Sequence, residues 1–186
     1  MRTLVFLLEE PSARELLAGV LPRILPEAIS VKFLVFEGKQ DLELRMVGRM
    51  RRWLLPNSKF IVLRDQDANP DCKSIKARLR SLADQAQQSD ALIRVACREL
   101  ESWVLGDLGA VGMAFQKADL EKHQQKAQYR DPDKLSNPID EIRKFVPGYQ
   151  KMEGARRLGN LLNPDSNRSI SFLRFCEGVR RLALEP

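Results

Sequence analysis

Four short apolar runs, each followed by a segment with helical spacing, restrict this chain's fold more than any other feature. The runs occupy residues 4–8, 31–36, 60–63 and 91–96. Their length and aliphatic content predict strands. The intervening segments, 12–21, 40–54, 72–87 and 99–108, carry apolar residues at helical intervals. Repeated strand-helix units predict an α/β fold with a mainly parallel sheet of about four strands and helices on both faces, because parallel neighbours need crossover connections. Ser12 and Glu15 have the spacing of a capping box opening the first helix.

The remainder has a different texture. Residues 116–136 are polar and nearly free of aliphatic side chains, which predicts a mobile loop or lid. Asn137-Pro138 has the form of an N-cap with proline at the first helical position, opening a helix to 146. Further helices are predicted over 154–162 and 169–182. The expected organisation is an α/β core over 1–112 and, over 113–186, a polar loop with an α-helical extension packed on that core.

Composition limits the chemistry. With 186 residues, 44% of them hydrophobic, the chain can bury one sizeable core. No run approaches the roughly 20 apolar residues of a membrane span, so no membrane association is expected. Cys72, Cys97 and Cys176 are odd in number and widely spaced, which fits a reduced, cytoplasmic setting. His123 is the only histidine, so metal sites built from several imidazoles are excluded. A net charge of +6 is compatible with a polyanionic partner.

The carboxylates give the strongest chemical signal. Glu9 and Glu10 follow the first strand, Asp65 and Asp67 the third, and Glu99 and Glu101 the fourth. In a parallel sheet these ends share one edge, where open α/β folds place ligands. Clustered carboxylates repel by about 4 kcal/mol per pair at about 4 Å and an effective dielectric near 20, so a cation is expected among them. An all-oxygen donor set selects Mg²⁺ or Mn²⁺. The candidate metal residues are Glu9, Asp65, Asp67, Glu99 and Glu101, while Glu10 reads as solvated. Lys73, Lys76 and Arg80, on the helix after Asp67, are the candidate phosphate contacts.

Specific segments carry a family resemblance. Leu8-Glu9-Glu10-Pro11-Ser12 resembles the glutamate motif of TOPRIM domains, and Leu63-Arg64-Asp65-Gln66-Asp67 resembles their DxD motif. VFEGKQDL at 35–42, LRDQDANPDCKSIK at 63–76, RELESWVLGDLGAV at 98–111, NPIDEI and YQKMEGARRL narrow the match. Together they resemble a small stand-alone bacterial branch, domain-of-unknown-function family 4276. This branch is related to the TOPRIM domain of overcoming-lysogenization-defect nucleases. Glu10 stands where TOPRIM domains usually carry glycine, and Phe36 where relatives carry histidine.

The resemblance implies a metal-dependent nuclease acting on DNA or RNA. Glu9, Asp65, Asp67 and Glu99 would serve as catalytic metal residues, with Lys151 supporting the transition state. It further implies an ATPase partner and a role in anti-phage defence. Two other readings remain: a non-catalytic TOPRIM-like module docking on an ATPase, and a receiver-like phosphoacceptor with Asp65 as acceptor.

Overall fold

The computed structural model describes residues 2–185. Four parallel strands, β1 (Arg2–Leu8), β2 (Ile29–Val35), β3 (Ser58–Asp65) and β4 (Leu92–Ala96), form one sheet in the order β2-β1-β3-β4. Along β1 the side chains alternate between two apolar layers: Leu4, Phe6 and Leu8 face one, Val5 and Leu7 the other. β3 follows the same period, with Ile61 and Leu63 against Phe60 and Val62. Both central strands are thus covered on both faces, as their near-continuous apolar character requires.

The two layers differ in size. Helices α2 (Lys39–Arg51) and α3 (Cys72–Gln85) cover one face through Leu42, Met46, Met50, Ile75 and Leu79. The other face carries α1 (Pro11–Val20), α4 (Glu101–Leu105), α5 (Leu108–Phe115), α6 (Leu120–His123), α7 (Pro138–Phe145), α8 (Lys151–Leu158) and α9 (Ile170–Leu184). Their buried apolar side chains belong to one continuous cluster around Trp103, Phe172 and Phe175. None of the described helices is long and apolar enough to cross a membrane.

Several boundaries differ from expectation. Pro11 opens α1 with Glu10 as the extended N-cap, and Ser12 donates to the Glu10 carboxylate instead of capping the helix. The predicted helix over 99–108 is broken at Gly106, where a Cβ would collide with Asn167. Asp107 then caps α5 by accepting from the Ala110 N–H at 3.0 Å.

The polar segment 116–136 is tied to its neighbours by side-chain hydrogen bonds. The Gln124 side chain accepts from the Leu108 N–H at 2.7 Å and donates to the Leu105 and Tyr129 carbonyls, each at 3.1 Å. Asp133 accepts from Ser169 Oγ at 2.6 Å and the Ser171 N–H at 2.7 Å. Tyr129 is buried beneath this network.

Candidate metal and active site

The chain steps from β1 outward to β2 and then returns past β1 to β3. The C-terminal ends of β1 and β3 therefore flank the point where strand order reverses. Leu8 pairs with Leu63, so Glu9 leaves β1 at the level of Arg64, within reach of the next backbone N–H, that of Asp65. Glu9 Oε2 accepts from the Asp65 N–H at 3.0 Å. Arg64 Nε lies 3.9 Å from that same oxygen, and Arg64 Nη1 donates to Glu43 Oε1 at 2.5 Å. Arg78 pairs with the other Glu43 oxygen. Buried Arg64 thus links a candidate metal residue to α2.

Asp65 is only 6% exposed. Its carboxyl is held well above the usual range by burial first, then by Glu10, Glu101 and Glu9. Glu9 is also raised, chiefly by burial, with Asp67 and Glu10 adding and the Asp65 N–H and Arg64 opposing. Asp67 has a positive φ of 55°, which turns the chain out of the sheet. Its N–H donates to the Arg98 carbonyl at 2.7 Å, and Oδ2 meets Lys39 Nζ at 2.8 Å.

A second carboxylate group surrounds Lys151. Its Nζ lies 3.4 Å from Glu101 Oε2, 3.6 Å from Glu99 Oε2 and 3.9 Å from Glu10 Oε1. Glu10 is therefore a member of the cluster, not the solvated residue expected from sequence. Helix α8 reaches this position because it packs backbone to backbone on α1. A Cβ on Gly19 would sit 2.4 Å from the Gly159 carbonyl carbon, and one on Gly159 would sit 2.6 Å from Leu16 O.

The Lys151 group has its own electrostatics. Glu101, 3% exposed, is pushed up to about 7 by burial, which Lys151 offsets in part while Glu10 and Glu99 add to it. Burial alone would lower the Lys151 ammonium, but Glu101, Glu10, Glu99 and Asp65 outweigh it and hold it protonated. Lys151, Glu10 and Glu101 all act on Asp65, so the two carboxylate groups adjoin.

The donor set fits a hard divalent cation. It consists of carboxylate oxygens, and buried Glu99 Oε2 and Glu101 Oε2 have no hydrogen-bond partner. Among the described residues, however, no three carboxylate, histidine or cysteine side chains form a ready-made cage. Lys39, Arg64 and Lys151 interleave with the carboxylates and supply positive charge. A cation would have to displace or share these contacts.

Residues 8–180 match the model of a family described as a domain of unknown function, DUF4276. The chain belongs to that family. Its structure is similar to the C-terminal region of the Burkholderia pseudomallei OLD protein, with a TM-score of 0.61 and 16% identity over 97% of this chain and 98% of that one. It is also similar to the C-terminal region of the Xanthomonas campestris pv. campestris OLD protein, with a TM-score of 0.53 and 16% identity over 97% and 96%. No curated protein matches the sequence. The fold of this DUF4276 chain is TOPRIM-like, as the sequence motifs implied.

The basic residues separate into two groups. Lys73 and Lys76 are exposed in the first turns of α3, close to the DxD turn. Arg80 does not join them. Its guanidinium donates to the Ser89 and Ala91 carbonyls at 2.7 and 2.6 Å, beside the start of β4 and at the opposite edge of the sheet. Arg80 is thereby removed from the candidate phosphate contacts. His123 stands edge-on to the Phe145 ring, away from the carboxylates, and the three cysteines are free thiols.

Sequence reasoning did not find Lys39, Glu43 or Arg64 in this DUF4276 site. A signal for Lys39 was present. It follows the second strand and so shares the edge occupied by Glu9 and Asp67.

Proposed function

We propose that this chain is a Mg²⁺- or Mn²⁺-dependent nuclease that hydrolyses phosphodiester bonds in DNA or RNA. The supporting observation is buried Asp65, set between Glu9 and the Lys151 carboxylate group at the strand-order reversal. Glu9, Asp65 and Asp67, with Glu99 and Glu101, would hold the metal. When bound, a divalent cation supplies Lewis-acid stabilisation of a phosphoryl oxygen and lowers the pKa of a coordinated water.

The protein's own residues supply the rest. Glu9 fixes the Asp65 backbone through its N–H, and Arg64, anchored to Glu43 on α2, offsets the charge of Glu9 from 3.9 Å. Lys151, held as an ammonium, opposes the negative charge that develops on the phosphate. Lys73 and Lys76 are placed to contact neighbouring phosphates. The resemblance to overcoming-lysogenization-defect nucleases supports an ATPase partner and an effector role in anti-phage defence.

A second reading is a non-catalytic module that docks on an ATPase. It is favoured by the ion pairs of Asp67 with Lys39 and of Glu101 with Lys151, which partly neutralise the cluster without metal. Against the receiver-like reading, Glu10 is engaged by Ser12 and Lys151 instead of forming an acidic pair with Glu9. Cleavage of DNA and RNA with Mn²⁺, in the presence and absence of a partner ATPase, separates the first two readings. The nuclease cleaves and loses activity on Asp65→Ala; the docking module never cleaves and binds its partner with or without that substitution.

A further inference from the structure

Lys39 is the first residue of α2 and follows Gly38, whose φ of +98° favours glycine although a Cβ there would meet nothing. The loop is stitched to the end of β1. The Phe36 N–H donates to the Leu8 carbonyl and the Gly38 N–H to the Glu9 carbonyl, each at 2.9 Å. These bonds continue the β1–β2 ladder past the strands and fix the start of α2 beside Glu9. From there Lys39 reaches across to Asp67 Oδ2 at 2.8 Å.

This is an unfavourable place for a lysine on local grounds. A helix N-terminus carries partial positive charge, so an ammonium in its first turn is opposed by the helix itself. Asp67 provides the compensating charge. The contact also occupies one oxygen of a DxD carboxylate that the metal reading requires, and a divalent cation on that carboxylate would repel the ammonium strongly.

We propose that Lys39 is the internal counter-ion of Asp67, displaced by the divalent cation, and that its freed ammonium then contacts the substrate phosphate. This rests on the metal-nuclease reading and assigns Lys39 two successive partners. In the metal-free chain it neutralises Asp67 and limits repulsion within the carboxylate cluster. With metal bound it remains tethered at the same edge, where an incoming phosphate replaces the lost negative partner. Lys39 therefore sets metal affinity as well as substrate affinity.

The test uses the full chain and Mn²⁺ alone, titrated by calorimetry and by loss of the free Mn²⁺ paramagnetic resonance signal. Lys39→Met should tighten Mn²⁺ binding about three- to tenfold, the effect expected from removing one adjacent competing cation. Lys73→Met, with the same charge change but no contact to Asp67, should alter it less than about twofold. Asp67→Asn should weaken it. Equal affinities in the two Met variants overturn the counter-ion role.

A second arm measures oligonucleotide binding in Ca²⁺ and in EDTA, with cleavage monitored. Lys39→Met should weaken binding several-fold more in Ca²⁺ than in EDTA, where only the charge of unpaired Asp67 opposes the oligonucleotide. An identical loss in both conditions, or no oligonucleotide binding by the parent, overturns the phosphate contact. Failure of the nuclease reading looks different: no protein cleaves nucleic acid, yet the Mn²⁺ ranking holds.

Discussion

Glu9 Oε2 accepts the backbone N–H of Asp65 at 3.0 Å, so a side chain at the end of β1 fixes the first residue of the DxD turn at the end of β3. This bond joins the two central strands where their ladder stops. It also concentrates buried negative charge, and the metal prediction follows from that cost.

Mn²⁺ at millimolar concentration should raise the melting temperature, because a ligand of the folded state stabilises it by mass action. Asp65→Asn combined with Asp67→Asn should abolish the response. The metal-free double variant should melt higher than the parent, since burial and neighbouring carboxylates already oppose ionisation of Asp65. A Mn²⁺ response as large as the parent's would remove these two residues from the metal site.

The pH dependence should expose Glu101. Its folded value, about 7, exceeds its ordinary value of 4.5, so the stability it contributes is fully present below 4.5 and is lost as pH rises through 7. Metal-free Glu101→Gln should therefore gain on the parent with rising pH, by up to about 3 kcal/mol at pH 8. Denaturant melts at pH 4.5 and 8 measure this difference. A gap independent of pH would contradict the assignment.

Helix α8 depends on the absence of side chains at its crossing with α1. Gly159→Ala should destabilise the fold by about 1–3 kcal/mol, because the added methyl meets rigid backbone rather than a flexible side chain. It should also lower activity more than the loss of folded protein accounts for, since α8 carries Lys151. Unchanged stability would show that the two helices separate freely.

The basic residues of α3 should divide according to their contacts. Lys73→Ala with Lys76→Ala should lower the log–log salt slope of nucleic-acid binding by up to about 2. Arg80→Ala should leave the slope unchanged and destabilise the protein, because two backbone carbonyls lose their donor. A slope change from Arg80→Ala would return it to the binding surface.

Much of the fold was legible because each strand is a local apolar run. Residues 4–8 and 60–63 lie within the observed β1 and β3, and their buried faces follow from simple alternation. The carboxylates at the strand ends were legible for the same reason, since a parallel sheet brings consecutive strand ends to one edge. Pairings between distant elements were not. Arg80 has the same charge and helical setting as Lys73, and only the fold shows that its guanidinium serves the Ser89 and Ala91 carbonyls. Glu10 read as solvated because its partner, Lys151, arrives on a helix placed by the Gly19–Gly159 crossing. The polar composition of 116–136 concealed anchors such as Gln124 and Asp133, which hold that segment by hydrogen bonds beside the burial of Leu120 and Tyr129.

The central claim is metal-dependent cleavage at the Glu9, Asp65 and Asp67 edge. The most direct measurement is single-turnover cleavage of DNA and RNA in Mn²⁺, with a partner ATPase added, comparing the parent with Glu9→Ala, Asp65→Ala, Asp67→Ala and Lys151→Ala. The account predicts losses of about 10²-fold or more for the three carboxylates and a smaller loss for Lys151, with the folded structure retained. Cleavage that persists at parental rates in Asp65→Ala, or its absence from the parent under all these conditions, would contradict it.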